Sequence, residues 1–231
     1  MRRAPEALGR LRLPIETPRL ELRLPSARDV PDLRRSFLDR RTARAEGAPL
    51  HSRLEMREPE RMVARTLREY RRGEHLSLSV ILREEQRCVG RVGLRGLDWT
   101  YRKVESLSYW VDPAYWHRGI ATEASWYLCR AAFGPLRLRR VASQALDRNQ
   151  RSLAVLRTLG FVEEGREREA VCIRGRCMDM LLFGLLRGEL RPLAHPPAEP
   201  PAAGGRPPAP RLRLGRSSRS HGGGRGPGGP P

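Results

Sequence analysis

Three stretches of strand character stand back to back between residues 75 and 111, and they limit the fold more than any other part of the chain. HLSLSVILR (75–83), RCVGRVGLRGL (87–97) and VESLSYWV (104–111) are separated only by turns, at Glu84-Glu85-Gln86 and near Asp98. The third strand ends in Asp112-Pro113. A turn of small residues then leads into a helix expected from near Arg118 to near Phe133, where Gly134-Pro135 stops it. A chain with this centre must build a sheet and then cover it.

The flanks supply the cover. RLELRLP (19–25) alternates apolar and polar residues as a half-buried strand does. Ser26 caps a helix running to about Arg41, with Asp29 as a shortened capping box. The polar connector AEGAPLHSR follows. A second helix covers Pro59 to Arg72, with Met62, Val63, Thr66, Leu67 and Tyr70 as its apolar stripe. LRRVASQAL (138–146) is a strand, Asn149 to Leu159 a helix closed by Gly160, and strands at 161–167 and 170–186 finish the pattern. The order βααβββαβαββ predicts an α/β fold: a mixed, mostly antiparallel central sheet with helices on both faces. Residues 14–190 suit one domain with one core. Residues 1–13 read as a basic N-terminal arm. Residues 191–231 hold 11 Pro, 9 Gly and 7 Arg with Glu199 as the only acid, a composition expected to stay disordered.

Lysine and arginine total 45 against 26 acids, a formal net charge of +19, yet Lys103 is the only lysine. That one-sidedness fits a GC-rich coding bias, which weakens any direct inference from charge to nucleic acid. A basic surface still attracts acidic partners, ribosomes and nucleotide-bearing cofactors included. Cys88, Cys129, Cys172 and Cys177 form no CxxC pair, and no His stands at metal-ligand spacing. Free thiols in a reducing compartment and no metal are expected. Residues 1–20 lack the apolar core of a secretory signal, and MLLFGLL (180–186) is too short to span a bilayer. The expectation is a soluble, cytoplasmic protein, monomeric or homodimeric, with no membrane contact.

WHRGIATEA (116–124) carries the chemistry. The first N–H groups of a helix lack internal partners, and the dipole there favours an anion. Gly119 lets the backbone approach a ligand, Ala121 keeps the next turn small, and Arg118 adds charge. Downstream, DRNQRSLAVLRTLGF (147–161) opens a helix on Asn149 and Ser152. Asn149 reads locally as an N-cap and Ser152 as a first-turn residue able to bond backbone.

Taken together, residues 16–188 resemble the GNAT superfamily of N-acetyltransferases, in the branch of RimJ/RimL-type ribosomal-protein N-terminal acetyltransferases. The resemblance rests on ETPRLELR, CVGRVGL, SYWVDPAYWHRGIATEA, NQRSLAVLRTLGFVEEG and GRCMDMLLFGLL, in that order. It implies acetyl-CoA as cofactor. The pyrophosphate would sit on backbone amides of an R/Q-x-x-G-x-G/A turn, here Trp116-His117-Arg118-Gly119-Ile120-Ala121 with Trp116 where Arg or Gln is common, and on Thr122 beside it. His117 replaces a common glycine and should serve if its amide can face the ligand without positive φ. Pantetheine would lie along Tyr109, Trp110 and Val111, between parallel strands that splay, with Asn149 and Ser152 facing the cofactor.

The resemblance also implies direct attack of a primary amine on the thioester. The amine must lose a proton, and the leaving thiolate must gain one. Ser152 matches the serine given that second role in RimL-type enzymes. The family's strand carboxylate falls on Ser106 here, so Glu105 is one residue out of phase. A second family carboxylate falls near Val171, whose strand face Glu169 is expected to share. Glu169, then Glu105, are the candidate bases, and both also read as solvated strand residues. The acceptor is a protein N-terminus or a small-molecule amine, bound near residues 44–58. Two other readings stay open: a non-catalytic acyl-CoA-binding module on the same scaffold, and a ribosome- or RNA-associated basic protein.

Overall fold

The computed structural model describes residues 4–39, 41, 58–173 and 175–193. The tail beyond 193 and the connector at 42–57, with most of the expected acceptor segment, lie outside the described residues. The elements are α1 (Ala4–Leu8), β1 (Ile15–Glu16), β2 (Leu20–Arg23), α2 (Val30–Leu38), α3 (Pro59–Arg72), β3 (Leu76–Leu82), β4 (Arg87–Asp98), β5 (Lys103–Val111), α4 (Ile120–Phe133), β6 (Arg140–Leu146), α5 (Gln150–Leu159), β7 (Val162–Ile173) and β8 (Arg176–Leu186).

The strands form one eight-stranded sheet in the order β1-β2-β3-β4-β5-β6-β8-β7. Every neighbouring pair is antiparallel except β5 and β6. That exception follows from α4, which carries the chain back to the end of the sheet where β5 begins, as a crossover. The expected mixed, mostly antiparallel α/β sheet is present.

Two apolar clusters cover the sheet. In the larger, Ala124, Leu128 and Ala132 of α4 and Leu153, Leu156 and Leu159 of α5 meet Leu78, Val92 and Leu107. In the smaller, Leu33 of α2 and Met62 and Val63 of α3 meet Ile81 and Cys88, with Phe37 and Trp110 at its margin. Each of the fully buried leucines contributes about 1.5–3 kcal/mol relative to exposure. Local signals fix the ends. Ser26 N–H donates to Asp29 Oδ2 at 3.0 Å, the carboxylate half of the capping box. Gly160 closes α5 at φ 96, where a Cβ would stand 2.3 Å from Glu189 O.

The structure departs from the sequence reading in three places. Residues 4–11 are not an independent arm: Leu8 and Leu11 lie in the larger core cluster. The last hairpin turns later than expected, because β7 runs on to Ile173 through a bulge between Glu167 and Val171. The longer hairpin makes Cys172 and Cys177 register partners, and they form a disulfide, so two of the four expected thiols are not free. Cys88 and Cys129 are free and buried, and burial pushes their thiols up to about 11 and about 12. Among the described residues no helix is long and apolar enough to cross a membrane.

Candidate functional site

The parallel pair β5/β6 is joined only at Lys103–Arg140 and Val104–Val141. Beyond Val104 the strands part. Ser143 Oγ–H reaches across to Leu107 O at 2.9 Å, and Trp116 Nε1–H closes on Val111 O at 2.8 Å. Backbone groups alternate sides along a strand, so the N–H and C=O of Tyr109, between Leu107 and Val111, face the same opening. An extended ligand can pair there as a strand would.

At the open end, Asp112 is buried and its carboxylate accepts Ala114 N–H at 2.9 Å, starting a short 3-10 turn. His117 and Gly119 then take left-handed backbone at φ 63 and 71 before α4 begins at Ile120. His117 therefore does not meet the expectation of negative φ; it bears a conformation that costs a side-chain-bearing residue about 1–2 kcal/mol. The first internal bond of α4 is Glu123 N–H to Gly119 O at 2.9 Å. The N–H groups of Ile120, Ala121 and Thr122 donate to no described residue. They are donors at the positive end of a helix of 14 residues.

Glu123, in the first turn of α4, is 1 % exposed. Its carboxylate accepts Thr17 Oγ1–H at 2.6 Å, Arg19 N–H at 3.2 Å and Arg19 Nε–H at 2.8 Å. Arg19 Nη2 is 2.7 Å from the same carboxylate without hydrogen-bond alignment, and Arg19 Nη1–H donates to Arg118 O at 2.9 Å. The Thr-Pro-Arg segment before β2 thus fastens the turn from about a hundred residues away and neutralises an acid that would repel an anion.

Behind the opening, Tyr109 Oη and Ser152 Oγ are 2.8 Å apart, and Tyr109 Oη–H also reaches Ser152 O at 3.1 Å. Burial pushes the Tyr109 phenol above its ordinary range, opposed in part by the Ser152 hydrogen bond, so the hydroxyl keeps its proton around neutrality. Asn149 Oδ1 accepts Ser152 N–H at 3.2 Å, the N-cap role. Two guanidinium groups stack on aromatic rings beside the turn: Arg118 over Tyr115 at 5.2 Å and Arg151 over Trp116 at 3.8 Å.

The strand Tyr109, Trp110, Val111, the turn His117 to Thr122, and the pair Asn149 and Ser152 are thus brought together. The carboxylates are not. Neither Glu105 nor Glu169 makes a hydrogen bond or ion pair to Tyr109 or Ser152. Glu105 is exposed and lies against Gly96, four residues or about 13 Å along β5 from Tyr109. Glu169 is exposed, at φ 51 within the β7 bulge, with its N–H on Asp179 Oδ1 at 2.9 Å. That bulge breaks the alternation used to place it on the face of Val171. Thr17, Arg19, Glu123 and Arg151 were missed by sequence reasoning; an acid in the first turn of α4 was the one available signal.

Residues 19–162, more than half of the chain, match the family model for the acetyltransferase (GNAT) domain. YdaF of Bacillus subtilis (strain 168), provisionally named a ribosomal N-acetyltransferase, is 37% identical over 100 residues, 43% of this chain and 54% of that protein. The chain spans about half to two thirds of the length of the curated relatives it matches. Among solved structures, Mycobacterium smegmatis RimJ in complex with CoA-disulfide aligns with TM-score 0.66 at 24% identity, covering 74% of this chain and 83% of that one. Ribosomal-protein-S5-alanine acetyltransferase from Vibrio fischeri aligns with TM-score 0.66 at 21% identity, covering 77% and 98%. Those two likenesses speak for the fold.

Proposed function

Because the chain belongs to the GNAT acetyltransferase family, we propose that it transfers the acetyl group of acetyl-CoA to a primary amine, with a protein N-terminus as the first class of acceptor. GNAT acetyltransferases use acetyl-CoA, and the residues present suit it. The observation that carries the reading is the opening of β5 from β6 with the unbonded N–H groups of α4 directly beyond it. A ligand that is extended at one end and doubly phosphorylated further along matches that sequence of environments.

Acetyl-CoA supplies the thioester. The backbone of Tyr109 to Val111 would hold its pantetheine arm, and the amides from His117 to Thr122 its pyrophosphate. Ser152 and Tyr109, 2.8 Å apart, would be the hydroxyl pair that returns a proton to sulfur, with Ser152 in the first turn of α5. On the acceptor side Glu169 is the preferred carboxylate. Glu167 and Leu146 both register with Met180, so Glu169 lies at the end of the sheet where α5 begins. Glu105 lies at the other end of β5 and is the weaker candidate. A ribosomal-protein amine is favoured over small amines by the name of the YdaF relative, a ribosomal N-acetyltransferase. Direct attack in a ternary complex is supported by the lack, among the described residues, of an exposed free thiol: Cys88 and Cys129 are both buried.

The second reading, an acyl-CoA-binding module without turnover, is favoured by the separation of both carboxylates from the hydroxyl pair. Acetyl-CoA binding followed by a screen of peptide N-termini and small amines separates the two. Gly119→Glu places bulk and negative charge on the turn. It is expected to abolish acetyl-CoA binding and, because Gly119 holds φ 71, to lower the melting temperature by only a few degrees; wild-type affinity in that variant would remove the assignment.

A further inference from the structure

Arg151 stands in the first turn of α5, beside Ser152, and its guanidinium carbon is 3.8 Å from the centre of the Trp116 ring. Trp116 is itself fixed by Nε1–H to Val111 O at 2.8 Å, so the ring that carries the guanidinium is tied to the end of β5 and opens the turn. Stacking occupies the flat face of a guanidinium and leaves its in-plane N–H donors at the edge. No carboxylate among the described residues pairs with Arg151, and its side chain is exposed. Arg118, over Tyr115, is held the same way on the turn itself. Of the acids around the turn, Glu123 is engaged by Thr17 and Arg19, and Glu85 accepts the hydroxyl of Tyr115, the ring beneath Arg118. Two guanidinium groups and three unbonded amides therefore share one end of the sheet, and among the described residues no carboxylate pairs with either guanidinium. A neutral ligand gains nothing from such a field, whereas a ligand with several phosphates does.

We propose that Arg151, carried on Trp116, binds phosphate oxygens of the CoA moiety and sets the specificity of the donor site for phosphorylated donors. The inference rests on the acetyl-CoA reading above and adds to it a residue on a different helix from the turn. Phosphate oxygens of two kinds offer the same chemistry, those of the diphosphate and those of the 3′-phosphate.

The test is calorimetric titration of the full chain with acetyl-CoA and with acetyl-3′-dephospho-CoA, for the unaltered protein, Arg151→Leu and Arg151→Lys. Loss of a charge-assisted bidentate contact is expected to weaken acetyl-CoA about tenfold or more in Arg151→Leu, with Arg151→Lys recovering only part because it lacks the planar fork. Equal weakening toward both compounds assigns the contact to the diphosphate. Weakening toward acetyl-CoA alone assigns it to the 3′-phosphate. Arg151→Leu binding acetyl-CoA within about twofold of the unaltered chain overturns the inference while leaving the acetyl-CoA reading intact. Failure of the unaltered chain to bind either compound overturns both. Arg151 is exposed, so the ligand-free melting temperature of the variants should stay within about two degrees.

Discussion

At Tyr109 a protonated phenol stands 2.8 Å from a serine hydroxyl, inside a strand gap whose backbone is otherwise free of its parallel neighbour. A phenol raised by burial is a donor and not a base at working pH. On the proposed chemistry, Ser152→Ala should lower kcat about a hundredfold, while acetyl-CoA affinity changes little. Tyr109→Phe should lower kcat less. Because the phenol titrates above its ordinary range, its removal should leave the pH profile around neutrality unchanged in shape; loss of a basic limb there would show that Tyr109 ionises in the reaction. Both are read from steady-state rates across pH with a peptide acceptor. Gly119 and Arg151 belong to the same scale, since each acts through one feature: the missing Cβ of the first and the stacked fork of the second.

At the scale of elements, the turn is held by a strand far from it in sequence. The Arg19–Glu123 contact ties the start of β2 to the first turn of α4, and Thr17 completes it. Removing one partner of a buried pair strands the other, so Arg19→Ala should cost about 3 kcal/mol of stability and also weaken acetyl-CoA binding, because Glu123 would then face the anion unneutralised. Urea denaturation and titration measure the two effects. Unchanged affinity would mean that the strap only braces the fold. Elements with local punctuation were legible in the sequence: Pro59 and Gly73 bound α3, Gly134-Pro135 ends α4, and Gly160 ends α5. The last hairpin was misplaced because Glu169 adopts positive φ inside a strand, which no residue preference signals. The disulfide followed from that error, since Cys172 and Cys177 become opposite only in the longer hairpin. The Arg151–Trp116 stack was hidden for another reason. It joins a turn to a helix 35 positions later through side-chain geometry alone.

At the scale of the whole molecule, the mixed, mostly antiparallel sheet could be read from the order of strands and helices, and its parallel junction from the family resemblance. The acceptor side could not, because its segment carries neither periodicity nor a motif. The domain's end is also one step later than composition suggests. Arg191 N–H bonds Leu159 O at 3.1 Å, and Trp126 Nε1–H bonds Arg191 O at 2.8 Å. Truncation after Leu193 should therefore leave the melting temperature within about two degrees, and truncation after Leu190 should lower it further. Equal melting temperatures for the two would show that the Arg191 contacts add nothing. The net charge of +19 predicts salt-sensitive attraction to any polyanion, so binding is best measured at moderate salt with a nucleotide control. The most direct test of the central claim is calorimetric titration of the full chain with acetyl-CoA, with ATP in parallel. Saturable one-to-one binding of acetyl-CoA, with ATP clearly weaker, is the predicted result. No heat of binding for acetyl-CoA, or equal affinity for ATP, would contradict the account.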